Sequence, residues 1–417
     1  MRANEWTSPL KSRVLLLHPM SLVEEEWGGP TVFKDLGKID FDYIPDELPG
    51  RETELKALAA IYKGLMLGAN REHALVWGPV GVGKTALAER FARDLSAALQ
   101  RQGKRLEHVR VNCRKLKSAG LAMLAILNKF DANYPERGFA VGEMLRDLRR
   151  HLERRQAHLV VILDEVDALL RSDGSNLVYD LTRLNDEAGP TWCGVSLLMV
   201  SQENVLPLLD AAALSTFKQT NVVAVGGYGA PQLVPIVQQR VALAFRPGAV
   251  DGDTVYLIAD AAAAQNGNAR FAIEVLGKAG HLADGAGAER VDGEHVRSAQ
   301  GDTHAYITTA KLQSLPRHVL LALLGLARRL KRGDAYTTTG AAEEAYRLAC
   351  EEFGEAPRAH TQYWKYVNQL KEGGFIVGRL SGKGTAGTTQ FLSIPDAPAA
   401  QVEARVVQLL NAPSANS

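Results

Sequence analysis

The stretch that decides the fold is GPVGVGKT, Gly78 to Thr85, which fits G-x-x-x-x-G-K-[ST]. Ahead of it His73 to Trp77 (HALVW) reads as a short buried strand, and behind it TALAERFARDL carries apolar residues at helical spacing. Strand, glycine loop and helix in that order make a phosphate cradle. Glycines let backbone N–H groups turn inward around an anion, and the helix N-terminus adds a dipole that favours negative charge. The loop residues Gly78, Pro79, Val80, Gly81, Val82 and Gly83 are expected to wrap the phosphates of ATP or ADP. Lys84 is expected to reach the β and γ phosphates and Thr85 to ligate Mg2+.

Outward from the loop, apolar strands alternate with helical patterns: ALVWG, EHVRVNC, LVVILDE, GVSLLMVS and NVVAV. That order predicts an α/β fold, a parallel sheet with helices on both faces, its strands nearly continuous apolar runs because both faces are buried. Residues 1–40 read as an N-terminal extension without clear periodicity, and a turn at Pro49-Gly50 opens an amphipathic helix. The ATPase-like core is assigned to 41–226. Helical patterns alone fill 227–302, a smaller second domain. From 303 to 396 the pattern is three helices, then FIVGRL, the glycine-rich SGKGTAGT and TQFLSI, which together read as a winged helix. A tail, 397–417, holds a helical piece, QVEARVVQLL.

The 417 residues, 46% hydrophobic and 23% charged, suit an ordinary globular chain of about two or three domains. A formal net charge of +1 gives no global pull toward nucleic acid, so any such footprint must be local. Cys113, Cys193 and Cys350 stand far apart, with neither disulfide nor zinc spacing. The longest apolar runs, such as Val319 to Leu324, are too short to cross a bilayer, so a cytoplasmic protein with no membrane partner is expected.

Eighty residues past Lys84, LVVILDEVDAL ends an apolar strand in Asp164-Glu165. Ligands of open α/β sheets sit at the carboxyl ends of strands, so Asp164 is placed to hold the metal and Glu165 to act as general base on the attacking water. The next strand ends in Ser201-Gln202-Glu203-Asn204, offering Gln202 or Asn204 as an amide beside the γ-phosphate, although Ser and Asn are also cap residues. In NGNARFAIEVL, Arg270 sits in the first turn of a helix, where the dipole disfavours a cation. A nucleotide phosphate supplies the missing reason.

Taken in order, DELPGRETELKALA, GPVGVGKT, RVNCR, LDEVDAL, LVYDLTRLN and GNARFAIEVL, followed by HTQYWKYVNQLKEGGFIVGRLSGKGTAG, resemble the archaeal origin-recognition and replication-initiator AAA+ proteins. The resemblance runs from about Tyr43 to Ile394. It implies an AAA+ core, a helical lid and a winged helix, with Ile44, Pro45 and Arg51 lining the adenine pocket, Gln202 or Asn204 as sensor 1 and Arg270 as sensor 2. It further implies an initiator that binds duplex origin DNA and helps recruit the replicative helicase, with homologous initiator subunits as partners. One departure bears on turnover: where the family often has an arginine reaching a neighbour's ATP, this chain reads LDAAALSTFKQT, with Lys218 its only cation. An arginine finger is worth on the order of a thousandfold or more, so slow hydrolysis or a one-way switch is expected. A non-initiator nucleotide switch, such as a transposition or plasmid-maintenance helper or a signalling ATPase, and a DNA-bound regulatory paralogue are the other readings.

Between Pro357 and Pro395 five basic residues, Arg358, Lys365, Lys371, Arg379 and Lys383, face the single acid Glu372. Thr361, Gln362 and Lys365 share one face of the third helix, at a spacing suited to a major groove. Lys383 and Arg379 on the hairpin are placed to reach phosphates or the minor groove. Between the second strand and Asp164, LKSAGLAMLAILNKFDANYPERGFAVGEMLRDL reads as helix, turn, helix. In the resembled family this insertion grips DNA, making Lys129 and Arg137 candidate contacts, while the basic run LRDLRRHLERR reads as a solvated helix face.

Overall fold

The computed structural model describes residues 31–69, 71–184, 193–217, 220–301, 309–380, 390–395 and 397–412. In the first unit α1 (Glu52–Ile61) and α2 (Lys63–Met66) precede β1 (Ala74–Trp77), α3 (Lys84–Gln100) and β2 (Arg105–Asn112). Then come α4 (Ala119–Asn128), α5 (Val141–Arg155), β3 (Ala157–Asp164), α6 (Val166–Asp173) and α7 (Asn176–Arg183). The unit closes with β4 (Gly194–Ser201), α8 (Ala211–Thr216) and β5 (Val222–Ala224). The five strands pair in parallel in the order β2-β3-β4-β1-β5.

Every residue of β3 and β4 is buried. Side chains alternate across a strand, so Leu159, Val161 and Leu163 enter one core with α4 to α7, while Val160 and Ile162 enter another with Leu87 and Phe91 of α3. Between β1 and β2 the chain crosses β4 and β3. This order brings the loop after β1 beside the carboxyl ends of β3 and β4, where a ligand crevice forms.

The second unit is α9 (Ala230–Ala244), α10 (Gly252–Ala264), α11 (Ala269–Gly285) and α12 (Gly293–Gly301). The end of the supposed extension belongs to it. Phe33 and Ile39 lie against α11 where it carries Gly280 and Gly277, and a Cβ there would come within 2.3 Å of the Phe33 ring and 2.7 Å of Ile39. The Arg240 guanidinium, buried on α9, donates to the carbonyls of Lys38 (2.7 Å) and Tyr43 (2.9 Å). Residues 31–43 are thus a strap over the lid, held by backbone carbonyls and a glycine groove that leave no periodicity in the sequence.

In the third unit α13 (Thr309–Gln313) and α14 (Arg317–Leu330) lead to β6 (Thr337–Thr338), α15 (Thr339–Glu352), α16 (His360–Glu372), β7 (Val377–Leu380), β8 (Gln390–Ser393) and α17 (Ala399–Asn411). The expected two-stranded hairpin gains a third strand, in the order β6-β8-β7, because the two-residue β6 is too short to leave a pattern. The tail helix α17 buries Val402, Val406 and Leu410 in the same core as α14. Among the described residues no helix is long and apolar enough to cross a membrane, and all three cysteines are buried and outside any disulfide.

Candidate nucleotide site and nucleic-acid interface

The loop after β1 depends on glycine at defined points. Gly81 (φ +80°) and Gly83 (φ +83°) are left-handed, and a Cβ on Gly78 would lie 2.0 Å from the Val225 carbonyl oxygen. Lys84 opens α3 and its Nζ donates to the carbonyls of Gly78 (2.7 Å) and Pro79 (2.6 Å). Desolvation holds its pKa below the ordinary lysine value against the pull of Asp164, Asp167 and Glu165. The Thr85 hydroxyl donates to both Asp164 oxygens, at 3.0 and 3.2 Å. Burial pushes the Asp164 pKa up, opposed by that hydroxyl and by Arg110.

Glu165 has φ +53° and ψ +44°, a left-handed backbone unusual outside glycine, which costs about 1–2 kcal/mol. Its carboxylate accepts from Asn112 Nδ2 at 3.3 Å, and the Arg114 guanidinium stands 3.7 Å away. Asn112, the last residue of β2, sits opposite Asp164 in the strand register. Its own carbonyl oxygen accepts from the backbone N–H groups of Arg114 and Lys115, so its amide nitrogen faces Glu165. Nothing in the stretch RVNCR marks Asn112 for this role. The signal lay in the β2–β3 register, which no local pattern carries.

Beyond β4 the Ser201 hydroxyl donates to Asp167 (3.1 Å). Asn204 uses its side-chain carbonyl oxygen on the Leu206 N–H (3.1 Å), in a local turn ahead of Leu206–Leu208, while Gln202 stands exposed at the strand end. Lys218 lies outside the described residues.

The lid reaches this loop directly. The Arg270 backbone N–H donates to the Gly81 carbonyl (3.2 Å), and a Cβ on Gly81 would lie 1.9 Å from Asn268 Oδ1. Asn268 also caps α11 through the Phe271 N–H. The exposed Arg270 guanidinium lies 4.8 Å from the centre of the Phe41 ring. Arg51 is buried between the units: it donates to the carbonyls of Val82 (3.0 Å) and Gly226 (2.7 Å), pairs with Glu54 and lies over the Tyr228 ring at 3.7 Å. Pro45 is buried and Ile44 half-buried, on the segment whose Tyr43 and Glu47 carbonyls take hydrogen bonds from α9. A desolvated ammonium resting on carbonyls, two glycines with no room for a Cβ, and a hydroxyl beside a buried carboxylate fit a polyphosphate with a divalent cation.

On the third unit Thr361 and Lys365 are exposed along α16, with Gln362 half-buried. Trp364 is exposed on the same helix. Arg358 is exposed and its Nε donates to His318 Nε2 at 3.2 Å. Lys383 lies outside the described residues. Arg379, expected at DNA, pairs here with Asp253 at 2.9 Å and lies over the rings of Tyr256 (4.0 Å) and Tyr336 (4.9 Å). Lys371 is likewise engaged, on Gln390 at 2.6 Å. Lys129 and Arg137 are exposed around the turn of the α4–α5 insertion, and Arg146, Arg150 and Arg154 form an exposed stripe on α5.

A phosphate loop on a parallel sheet of this order, met by a helical lid and followed by a winged helix, defines an AAA+ ATPase. Three family models match in series: the AAA ATPase domain over residues 47–195, the Cdc6 AAA+ ATPase-type lid domain over 234–301 and the CDC6 C-terminal winged helix domain over 310–404. The chain is 32% identical over 373 residues to ORC1-type DNA replication protein 2 of Saccharolobus solfataricus, covering 87% of this chain and 90% of that one. It belongs to the ORC1-type DNA replication proteins. Among solved structures it is similar to Cdc6p from Pyrobaculum aerophilum (26% identity, 91% and 98% of the two chains, TM-score 0.78). The Aeropyrum pernix ORC1 protein in complex with DNA matches at 30% identity, 90% and 97% coverage and TM-score 0.58. The ORC2 protein of the same organism, in ADPNP–ADP complexes, matches at 26%, 91% and 98% and 0.61.

Proposed function

We propose that this chain is an ATP-dependent replication initiator: it binds duplex DNA at origin-like sites through its winged helix and the α4–α5 insertion, and nucleotide state sets its grip. The observation that carries the reading is the lid's contact with the phosphate loop, Arg270 N–H on the Gly81 carbonyl with Asn268 against Gly81. A triphosphate in that loop touches both units, so its presence fixes how they meet. The nucleotide-bound ORC2 and DNA-bound ORC1 relatives support both halves of the proposal.

Within the site Lys84 gives up two carbonyls for phosphate oxygens, and the loop amides supply the remaining donors. Thr85 and Asp164 are the residues to hold Mg2+, whose charge when bound offsets that of the β and γ phosphates. Glu165 orients the attacking water and takes its proton, and Asn112 with Arg114 fixes where that carboxylate points. Arg270 leaves the Phe41 ring for the phosphates as sensor 2. Ile44, Pro45 and Arg51 shape the adenine side, and Gln202 is the better placed sensor 1, since the Asn204 side chain is engaged by the Leu206 N–H. The segment Asp210 to Thr220 carries no arginine, so turnover is slow and the bound nucleotide acts as a long-lived switch. The replicative helicase and homologous subunits are the proposed partners, on the nucleoid in the cytoplasm.

Thr361, Gln362 and Lys365 address the groove, with Arg358 and Lys383 on phosphates and Lys129 and Arg137 gripping from the insertion. Fluorescence anisotropy of the full chain on duplex DNA tests this. Lys365→Ala should lower affinity and reduce the salt slope by about one; an unchanged affinity and slope contradicts it.

A further inference from the structure

The winged helix meets the lid at two arginine-centred joints. Arg297 on α12 is fully buried, and its guanidinium donates to the carbonyls of Asp334 (2.7 Å), Ala335 (3.0 Å) and Ile394 (3.0 Å) of the third unit. Three acceptors fixed on main chain define its position closely. At the other joint Arg379 on β7 spans from Asp253 to the face of Tyr256, both on α10 of the lid. Tyr336, beneath the same guanidinium, donates its hydroxyl to Asp260, also on α10, at 2.6 Å. Asp253, Tyr256 and Asp260 fall at i, i+3 and i+7, so one helical face is the seat. An exposed ion pair alone contributes little, but a guanidinium stacked on aromatic rings over a part-buried tyrosine-carboxylate bond is a shaped contact. The lid's apolar core continues through it, taking in Ala335 and Tyr336 with Val377 and Phe391 packed against them.

The lid's seam with the ATPase core is different in kind. It lies on the phosphate loop, where the Arg270 N–H donates to the Gly81 carbonyl and Asn268 sits against Gly81. Beside it the core's Arg51 lies over the lid's Tyr228 ring at 3.7 Å, so the seam centres on the loop that takes the phosphates.

We infer that lid and winged helix form one rigid arm, joined at Arg297 and Arg379, and that nucleotide turns this arm as a unit about the glycine seam on the phosphate loop. Arg379 is a positioning residue whose partner is the lid. The inference extends the proposed function, whose DNA-binding half enters only in the last part of the test.

Spin-label distances in the full chain test it, the three native cysteines being buried. Labels at Glu289→Cys on the lid, Gln369→Cys on α16 and Arg101→Cys at the end of α3 give the distances between units. The expected result is a narrow lid-to-α16 distribution, identical with ATP, with ADP and without nucleotide, while the distances from Arg101→Cys to both other labels change together. A lid-to-α16 distance that moves with nucleotide, or is broad from the start, overturns the inference. Arg379→Ala should at least double the width of that distribution, and Arg379→Lys should do so less. Tyr256→Ala, on the lid side, should reproduce Arg379→Ala and serves if the latter fails to fold; an unaltered width in these variants also overturns it. In duplex binding Arg379→Ala should keep the wild-type salt slope. A slope reduced by about one with the distances unaltered makes Arg379 a phosphate contact and refutes the assignment. Failure of the wild type to bind duplex contradicts the proposed function alone, and the distances still decide the arm.

Discussion

Replacing Gly81 by alanine should cripple nucleotide binding through the lid rather than through the phosphates themselves. At φ +80° an alanine incurs about 1 kcal/mol of backbone strain. Its Cβ would fall 1.9 Å from Asn268 Oδ1 and 2.5 Å from Asn268 Cγ, so the asparagine must turn away and release the Phe271 N–H that it caps at 3.0 Å, a loss of about 1 kcal/mol. Separating the two backbones breaks the bond from Arg270 N–H to the Gly81 carbonyl, worth about 1 kcal/mol more. The strain lowers stability, and the two lost lid contacts, about 2 kcal/mol together, weaken ATP binding by about thirtyfold, at roughly 1.4 kcal/mol per decade. Isothermal titration with ATP and Mg2+ measures it, beside Gly68→Ala as control. Gly68 is also left-handed, at φ +98°, but faces open space, so its alanine should lower stability by about 1 kcal/mol and leave affinity alone. A folded Gly81→Ala chain that binds ATP within threefold of wild type refutes the reasoning.

Glu165→Gln should keep ATP affinity near wild type and lower phosphate release by about a hundredfold or more, because it removes only the base. Arg297→Met leaves the carbonyls of Asp334, Ala335 and Ile394 without their buried donor, and calorimetry should find the chain destabilised by about 3–5 kcal/mol. For Glu343 burial acts to raise the pKa, but hydrogen bonds from His360 (2.6 Å) and Arg347 (2.8 Å) outweigh it and hold the carboxyl below its ordinary value. A depressed carboxylate contributes stability above its unfolded pKa and loses it as pH falls through the folded one. The melting-temperature gap between wild type and Glu343→Gln should therefore shrink on acidification below about pH 4.

The phosphate loop, the strand ends and the winged helix were legible because each is written in adjacent residues: glycines at fixed offsets, an apolar run ending in Asp164-Glu165, helical spacing around Tyr363 and Leu370. What escaped is made of contacts far apart in sequence. Arg379 sits in a basic stretch and counts there as a free cation, yet Asp253 and Tyr256, more than 120 residues earlier, hold it. Asn112 gained its contact with Glu165 from strand register, and residues 31–43 found their place through backbone carbonyls and two glycines of α11. Asn204, the second choice after Gln202, is set apart from it by the local hydrogen bond that its side chain takes from the Leu206 N–H.

In the proposed function nucleotide governs how the chain holds DNA. Its most direct test is equilibrium binding of the full chain, with ATP, with ADP and as Lys84→Ala, to duplex recovered from its own chromosome by crosslinking. The expected result is an affinity that differs between ATP and ADP, with Lys84→Ala insensitive to either. Equal affinity in all three conditions contradicts it.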